Sequence, residues 1–229
     1  MSKTIVVVGF GPGVSTAVAE KFGAEGFSVA LVGRTEARLA AGVAALKSAG
    51  VTAAAFPADA GNPVSIRAAI QAARAAFGPI TVVHWNAFGG HEAPDLLTVD
   101  PATLSGVFDI AVVGLLSAVQ EALPDLKAAD HGAVLVTNGA FGDVTPMSDA
   151  LAIHFKAVGV ALANVAKHKL VGMLSQALKD DGVYVGEVMI AGAIKQTAWA
   201  DGGGIEASVV ADKFWDLYVA RDEIRARVS

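Results

Sequence analysis

The sequence predicts a doubly wound α/β fold, in which one parallel sheet carries helices on both faces. Six apolar runs of strand length recur along the 229 residues, and they do not alternate between apolar and polar positions. Continuous apolar runs indicate burial on both faces, as in a parallel sheet. A helical segment separates each run from the next, and a glycine-rich turn follows the first run directly. We therefore expect right-handed strand–helix–strand crossovers along the whole chain.

The predicted strands, in chain order, cover residues 5–8, 29–32, 52–56, 81–85, 133–137 and 183–190, with 223–228 as a short edge strand. The predicted helices cover residues 14–24, 35–49, 63–76, 100–128, 150–179 and 207–219. Three helices have start signals, which are Thr35 before Glu36, Asn62 before Pro63 and Asp100 before Pro101. No linker or repeat interrupts the pattern, so residues 1–229 are predicted to form one domain.

The composition argues against several kinds of partner and site. The net charge is −5 and there is no basic stripe, which argues against nucleic acid as a partner. There is no cysteine, and no histidine or carboxylate cluster has the spacing of a metal site. The longest apolar runs, such as 110–119, are shorter than the roughly 20 residues of a membrane span, and no signal peptide pattern opens the chain. We therefore expect a cytoplasmic protein without membrane attachment.

The turn after the first strand has the composition of a phosphate-binding loop. It places Gly9, Gly11 and Gly13 just before Val14, where the helix begins. Glycines let the backbone turn sharply and approach a pyrophosphate, whose charge then lies at the helix N-terminus. The spacing is GxxxGxG rather than GxGxxG, with Ser15 in place of the last glycine. The sequence predicts a dinucleotide site here, and a tight turn without ligand is the alternative.

The second strand ends at Gly33 and is followed at once by Arg34. This end of the second strand lies under the adenosine ribose in dinucleotide-binding folds. An acidic residue there would bind the ribose hydroxyls, whereas an arginine pairs with a 2′-phosphate. Arg34 therefore favours NADP as the cofactor, with NAD as an alternative. A solvated arginine at a helix start is the other interpretation of Arg34.

These features together resemble the short-chain dehydrogenase/reductase family, whose members have the Rossmann fold. The landmarks occur in the family's order over nearly the whole chain, as Gly9 to Gly13, Arg34, Asp59, Asn86-Ala87, Asp109 to Gly114 and Ala191 to Thr197. The resemblance implies that Asp59 contacts the adenine and that Asn86-Ala87 lies along the adenosine half of the cofactor. It also implies that Ile194 and Thr197 hold the nicotinamide end.

The catalytic residues of the resembling family are missing. That family reduces carbonyls with an Asn–Ser–Tyr–Lys set, but here the Asn position falls on Ala111 and the Ser position on Gly139. Counting back from Gly182 puts the Tyr and Lys positions on Val160 and Asn164, whereas counting forward from Gly139 puts them on Ala152 and Lys156. Neither register contains a tyrosine, because the chain's two tyrosines are at 184 and 218. Tyrosine catalysis of the usual kind is therefore not expected.

Three residues are predicted as catalytic substitutes. Asn138 stands at the carboxyl edge of the fifth strand, and His154 and Lys156 stand where a substrate loop would meet the long helix. A histidine donates protons near neutral pH, so His154 is the first choice as proton donor. Capping or surface roles are the alternative for each. The run 167–169 is interpreted as a solvated helix face, and His84 as a hydrogen-bonded core residue.

Two functions fit this sequence. The first is an NADP-dependent oxidoreductase with a non-standard proton donor, acting on a small carbonyl, enone or imine. The second is a catalytically inactive NADP-binding sensor or structural subunit. Because helices 100–128 and 150–179 are long and apolar, and pair across a two-fold axis in related folds, we expect a homodimer or homotetramer. The aromatic segment 214–218 of the final helix is interpreted as a core or subunit contact. A substrate lid is the alternative, because the glycine-rich residues 201–204 precede this helix.

Overall fold

A computed structural model describes residues 3–195, 197, 200 and 203–229. Within these residues, seven strands form one sheet in the order β3-β2-β1-β4-β5-β6-β7, and every neighbouring pair is parallel. The strands are β1 (Lys3–Val8), β2 (Phe27–Gly33), β3 (Ala53–Pro57), β4 (Val82–Trp85), β5 (Ala133–Gly139), β6 (Tyr184–Ile190) and β7 (Arg225–Val228). The direction of winding reverses between β1 and β4. This confirms the predicted doubly wound α/β fold.

The helices that cover the sheet are α1 (Val14–Ala24), α2 (Glu36–Ser48), α3 (Pro63–Phe77), α4 (Leu104–Phe108), α5 (Leu115–Ala128), α6 (Pro146–His154), α7 (Val158–Ala177) and α8 (Ala207–Ala220). Short 3₁₀ turns cover Pro101–Thr103 and Ala140–Gly142, and a π-helical stretch, Asp109–Gly114, joins α4 to α5. The side chains of Asn62 and Asp100 accept hydrogen bonds from the first turns of the elements that follow them, as expected of N-caps.

The single helix predicted over 150–179 is wrong, because α6 ends at His154 and α7 begins at Val158. Lys156 stands between them in the left-handed conformation, with φ of 52°. The Ala157 N–H donates to the Ala152 carbonyl at 2.8 Å and the Lys156 N–H donates to the Ile153 carbonyl at 3.1 Å, which is the Schellman pattern of a helix end. The left-handed residue at such a helix end is usually glycine. Because it is a lysine here, nothing in the sequence indicates that the helix ends.

The core has two halves, one on each face of the sheet. Along β1, Val6 and Val8 face the layer formed by α3, α5 and α7, while Ile5 and Val7 face the layer formed by α1, α2 and α8. All four of these valine and isoleucine side chains are fully buried. Burial on both faces explains why the strands are continuous apolar runs.

The segment Pro101–Ala128 is long and apolar enough to cross a membrane by length and composition alone, with a mean hydropathy of 1.9 over its most apolar window. In the fold, however, Leu115, Ala122 and Leu126 of this segment belong to the core beneath the sheet. On its other side, Glu121 and Asp125 pair with Arg74 of α3 at 3.0 and 2.6 Å. The segment is therefore a core helix of the α/β fold.

Candidate functional site

The turn between β1 and α1 has a backbone conformation that favours glycine at two positions. Gly9 and Gly13 have φ of 83° and 92°, which is the left-handed region. A Cβ on Gly9 would stand 2.4 Å from the Ala87 nitrogen, so the turn touches the backbone that follows β4. Gly9 and Ala87, which were both predicted as cofactor-binding residues, therefore lie next to each other. They lie where the direction of winding reverses between β1 and β4, and ligands bind at this point in such sheets.

The N-terminus of α1 is open to an anion. Gly13 is its N-cap, and no side chain among the described residues caps it. Ser15, which replaces the last glycine of the spacing, shapes the loop from within. Its Oγ accepts from the Gly11 N–H and donates to the Gly11 carbonyl, both at 2.9 Å. Within the described part of the chain, the backbone N–H groups of the first turn, from Val14 onward, therefore have no side-chain partner, and such a helix end attracts phosphate.

Two exposed arginines lie at the start of α2, near this turn. Arg34 is exposed between β2 and α2, as predicted. Arg38 is also exposed, one helical turn later, and its guanidinium Nη1 lies 3.6 Å from the point where Gly11 would carry a Cβ. Arg38 was not predicted from the sequence, although its four-residue spacing from Arg34 at the start of a helix was the available signal.

The other predicted cofactor residues lie around the same turn. Asp59 is exposed after β3, and its Oδ1 accepts from the Gly61 N–H at 3.0 Å. Asn86 donates its Nδ2–H to the Gly9 carbonyl at 3.3 Å. Methyl groups of Ile194 and Thr197 would lie 3.3 and 3.2 Å from a Cβ on Gly13. Of the glycine-rich residues 201–204 before the final helix, Asp201 and Gly202 lie outside the described residues.

The predicted catalytic residues do not come together as a group. His154 and Lys156 are exposed at the end of α6 and just beyond it. Asn138 is only 2% exposed, and its side-chain amide makes hydrogen bonds inside the protein. Its Nδ2 donates to the Asn164 carbonyl at 2.9 Å and to Glu187 Oε1 at 2.6 Å, and its Oδ1 accepts from the Gly139 N–H at 3.0 Å. These bonds leave Asn138 holding the end of β5 against α7 and β6.

Contacts at the end of β5 favour one of the two registers that the sequence leaves open. The Asn164 amide of α7 lies beside Gly139, and its Nδ2 is 2.8 Å from the point where Gly139 would carry a Cβ. Val160 lies one turn earlier on the same helix. Ala152, by contrast, is in the separate helix α6, so the register that pairs Gly139 with Val160 and Asn164 fits the geometry.

A buried group of charges lies one turn below Asn164, and the interpretation of 167–169 as a solvated face is wrong for its first residue. Lys167 is 2% exposed and donates to the Thr137 carbonyl at 3.0 Å, whereas Lys169 is exposed. Burial lowers the pKa of Lys167 to about 8, against an opposing attraction from Glu187. Glu187 is fully buried and also accepts from His168 at 2.8 Å and from Arg225 at 3.3 Å. Local sequence offered no sign of this group, because its members come from α7, β6 and β7.

Two further polar side chains are structural. His84 is fully buried, and its Nε2 lies 3.1 Å from the Thr137 hydroxyl, which confirms it as a hydrogen-bonded core residue. Burial lowers the pKa of His84 to about 3. The Tyr184 hydroxyl donates to the Glu223 carbonyl at 2.6 Å, and burial raises the pKa of this phenol. Tyr184 opens β6 and Tyr218 lies in α8, so the two tyrosines are away from the carboxyl edge of the sheet.

Comparison with known proteins agrees with this geometry. The family model for the short chain dehydrogenase matches residues 3–192. The short-chain reductase protein NovJ of Streptomyces niveus is 31% identical over 130 residues, which cover 57% of this chain and 49% of that protein. The chain therefore aligns with about half the length of this relative.

Solved structures share the fold over almost the whole chain. A metagenomic short-chain oxidoreductase in complex with NADP has a TM-score of 0.81 at 21% identity, covering 99% of this chain and 95% of that one. An NADPH-bound short chain oxidoreductase from Pseudomonas aeruginosa PAO1, which contains an atypical catalytic center, has a TM-score of 0.85 at 19% identity with the same coverage. Since the family model covers residues 3–192, this chain belongs to the short-chain dehydrogenase family.

Proposed function

We propose that this chain is an NADP-dependent oxidoreductase that lacks the family's usual Ser, Tyr and Lys catalytic residues and acts on a small carbonyl, enone or imine. The observation that carries the proposal is the glycine turn between β1 and α1, which approaches Ala87 closely. No side chain among the described residues caps the helix that follows it, and two arginines lie nearby. Residues 1–229 act in this proposal as one dinucleotide-binding domain.

The residues around the turn fit a dinucleotide. Gly9, Gly11, Gly13 and the N–H of Val14 would hold the pyrophosphate at the N-terminus of α1. A Cβ on Gly9 would collide with the Ala87 backbone, and one on Gly13 would be in tight contact with the Thr197 methyl group, at 3.2 Å. Asp59 and the Asn86-Ala87 pair would lie along the adenosine, and Ile194 and Thr197 would flank the nicotinamide. When bound, the reduced cofactor supplies a hydride.

We propose NADP rather than NAD as the preferred cofactor. Arg34 and Arg38 are both exposed at the start of α2, and the guanidinium of Arg38 extends toward Gly11. Two guanidinium groups at the adenosine end would bind a 2′-phosphate through charge-assisted hydrogen bonds. NAD, which lacks this phosphate, would gain nothing from either arginine.

At the reaction centre, we propose that the family's Ser, Tyr and Lys positions are Gly139, Val160 and Asn164, and that Ala111 stands at the Asn position. The contact between Gly139 and Asn164 supports this alignment. None of these four side chains is a proton donor at neutral pH. We propose Asn138 as a positioning residue, and His154, with Lys156 beside it, as the route by which a proton from solvent reaches the product.

The assembly and location remain proposals. Phe108 and Val113 of the α4–α5 segment and Met173 of α7 are 37%, 41% and 53% exposed, so these helices present apolar side chains outward. We propose that they form the contact of a homodimer or homotetramer in the cytoplasm. The partners are then a small-molecule substrate and further copies of the chain, with no role for nucleic acid or a membrane.

The test is a two-stage assay on the purified chain. NADPH and NADH are titrated by fluorescence, and NADPH loss is then followed against a panel of carbonyls, enones and imines. Binding together with turnover supports the oxidoreductase. Tight NADPH binding with no turnover would favour the alternative, a sensor or structural subunit, and no binding of either cofactor would overturn the proposal.

A further inference from the structure

Large apolar side chains are exposed mainly in two short segments of the chain. More than half of those exposed in the described residues lie in segment 88–97, after β4, or in segment 144–155, which contains α6. They are 40% to 91% exposed and comprise Phe88, Leu96, Leu97, Val144, Met147, Leu151, Ile153 and Phe155. Single exposed apolar residues are ordinary on a protein surface, but a concentration of this kind indicates a binding surface.

Both segments meet the start of α7. A Cβ on Gly90 would stand 2.4 Å from the Gly159 backbone, and the Gly159 N–H donates to the Ala93 carbonyl at 2.8 Å. The second segment leads directly into the same helix. Phe88 is therefore two residues from one side of this contact, and Phe155 is four residues from the other. We call the surface that the two segments form the apolar mouth.

The apolar mouth adjoins the proposed reaction centre. Its first segment begins directly after Ala87, which the glycine turn of the cofactor site contacts. In its second segment, the ring of Phe155 lies 6.3 Å from the ring of Phe141. Phe141 belongs to the 3₁₀ turn that follows Gly139, and Val160, at the proposed tyrosine position, stands in the first turn of α7. A molecule bound beside the cofactor here would therefore meet apolar side chains.

The charges within the apolar mouth are negative. Its two segments contain the carboxylates of Glu92, Asp95 and Asp149 but no lysine or arginine, and Lys156 follows the second segment. Glu92 and Asp95 accept hydrogen bonds from backbone N–H groups of their own loop, at 3.1 and 2.9 Å. Such a surface does not attract phosphate or carboxylate groups of a substrate, nor an anionic membrane, which binds lysine and arginine side chains. The ligand that suits it is uncharged and apolar.

We propose that the apolar mouth binds a hydrocarbon chain of the substrate, and that the substrate is an uncharged compound with such a chain attached to its reducible group. This inference rests on the proposed function. Each methylene group that leaves water for contact with Phe88, Leu151 or Phe155 stabilises the complex. A second copy of the chain seated on this surface would instead cover the entrance to the reaction centre, so the position of the mouth favours the substrate.

The experiment measures kcat/KM with NADPH along two homologous series. One series is butan-2-one, hexan-2-one and octan-2-one, and the other is the matching set of 3-en-2-ones. We expect kcat/KM of the parent to rise by about two- to fourfold for each added methylene group, because full burial of one such group corresponds to about fourfold. From the shortest to the longest member the rise should be at least about tenfold.

Two variants and a control assign the effect to the mouth. Phe88→Gln and Phe155→Gln each replace a side chain that is more than half exposed, so the fold should tolerate both. Each should lower kcat/KM for the longest substrate by about tenfold and flatten the dependence on chain length. Val219→Gln changes a similarly exposed apolar residue of α8 and should keep the slope of the parent.

A second readout does not depend on turnover. With NADP⁺, which carries no hydride to transfer, octan-2-one cannot be reduced. Saturation-transfer NMR on this complex should show transfer from the protein to the terminal methyl protons of octan-2-one. The transfer should weaken in Phe155→Gln and persist in Val219→Gln.

The outcomes are distinct. Failure of the parent to bind NADPH overturns the proposed function itself. A kcat/KM that stays flat or falls with chain length, an absence of saturation transfer, or a Phe155→Gln variant with the slope of the parent overturns the role of the mouth alone. A smaller mass of Phe155→Gln in light scattering would assign the surface to a subunit contact. Binding of the parent to phosphatidylcholine vesicles that Phe155→Gln loses would assign it to a membrane, and either result overturns the inference.

Discussion

Raising the pH from neutral should stabilise this protein through Lys167. This lysine is almost fully buried in α7, with the Thr137 carbonyl as its hydrogen-bond acceptor. Burial lowers its pKa to about 8 from the ordinary value of 10.5, in spite of the attraction of Glu187. The folded chain therefore holds this proton less tightly than the unfolded chain does.

The sign and the size of the effect follow from that difference. Between pH 8 and 10.5 the unfolded chain keeps the proton of Lys167 and the folded chain has lost it, so the free energy of unfolding rises with pH. The gain is complete near pH 10.5 and absent below 8. At about 1.4 kcal/mol for each factor of ten in proton affinity, it amounts to about 3 kcal/mol.

The assay is urea unfolding of the parent, Lys167→Met and Lys169→Met at several pH values from about 7.5 to 10.5. Methionine keeps the length of the chain and removes the charge. The stability of the parent relative to Lys167→Met should rise by about 3 kcal/mol across this range, while Lys169→Met should follow the parent throughout. A constant gap between the parent and Lys167→Met would show that Lys167 is not titrating in this range.

Three other predictions concern catalysis, the turn and the assembly. Changing both Tyr184 and Tyr218 to Phe should leave turnover close to that of the parent, whereas His154→Ala should lose at least about 10²-fold in rate as the proton route is removed; a large loss in the tyrosine variant alone would reverse the assignment. Gly9→Ala should lower the free energy of unfolding by more than 2 kcal/mol, as estimated from its left-handed φ plus a backbone collision. The matched Gly26→Ala, with φ of 85° and no atom within 4 Å of its Cβ, should show only the φ cost of about 1–2 kcal/mol, and equal losses would contradict the close approach. Light scattering at micromolar concentration should give a multiple of 23.1 kDa, and a mass equal to one chain would refute the oligomer.

The sheet and its cofactor turn could be predicted because their signals are local. Strands such as β2 are buried on both faces, so they appear in the sequence as unbroken apolar runs. The turn needs a left-handed backbone at Gly9 and Gly13. Glycine adopts this conformation most readily, so its presence in the sequence indicates the turn. Each of these features depends on a few consecutive residues, and for that reason composition and spacing sufficed.

The interior of the candidate site could not be predicted, because it depends on contacts between distant segments. Lys167 follows the pattern of a solvated helix face, and only the approach of Thr137 and Glu187 shows that it is buried. The helix end at Lys156 lacks the usual glycine, so the apolar periodicity continued through it. The register of Asn164 against Gly139 could not be predicted either, because a single long helix was expected over 150–179.

The most direct test of the account is a fluorescence titration of NADPH and NADH against the parent and Arg34→Ala. A charge-assisted contact to the 2′-phosphate contributes about 1.5–3 kcal/mol, which corresponds to a factor of about ten or more in Kd. We expect NADPH to bind the parent at least tenfold more tightly than NADH, and Arg34→Ala, which leaves Arg38 in place, to lower this preference by a factor of about ten. Equal affinity for the two cofactors, or an unchanged ratio in Arg34→Ala, would contradict it.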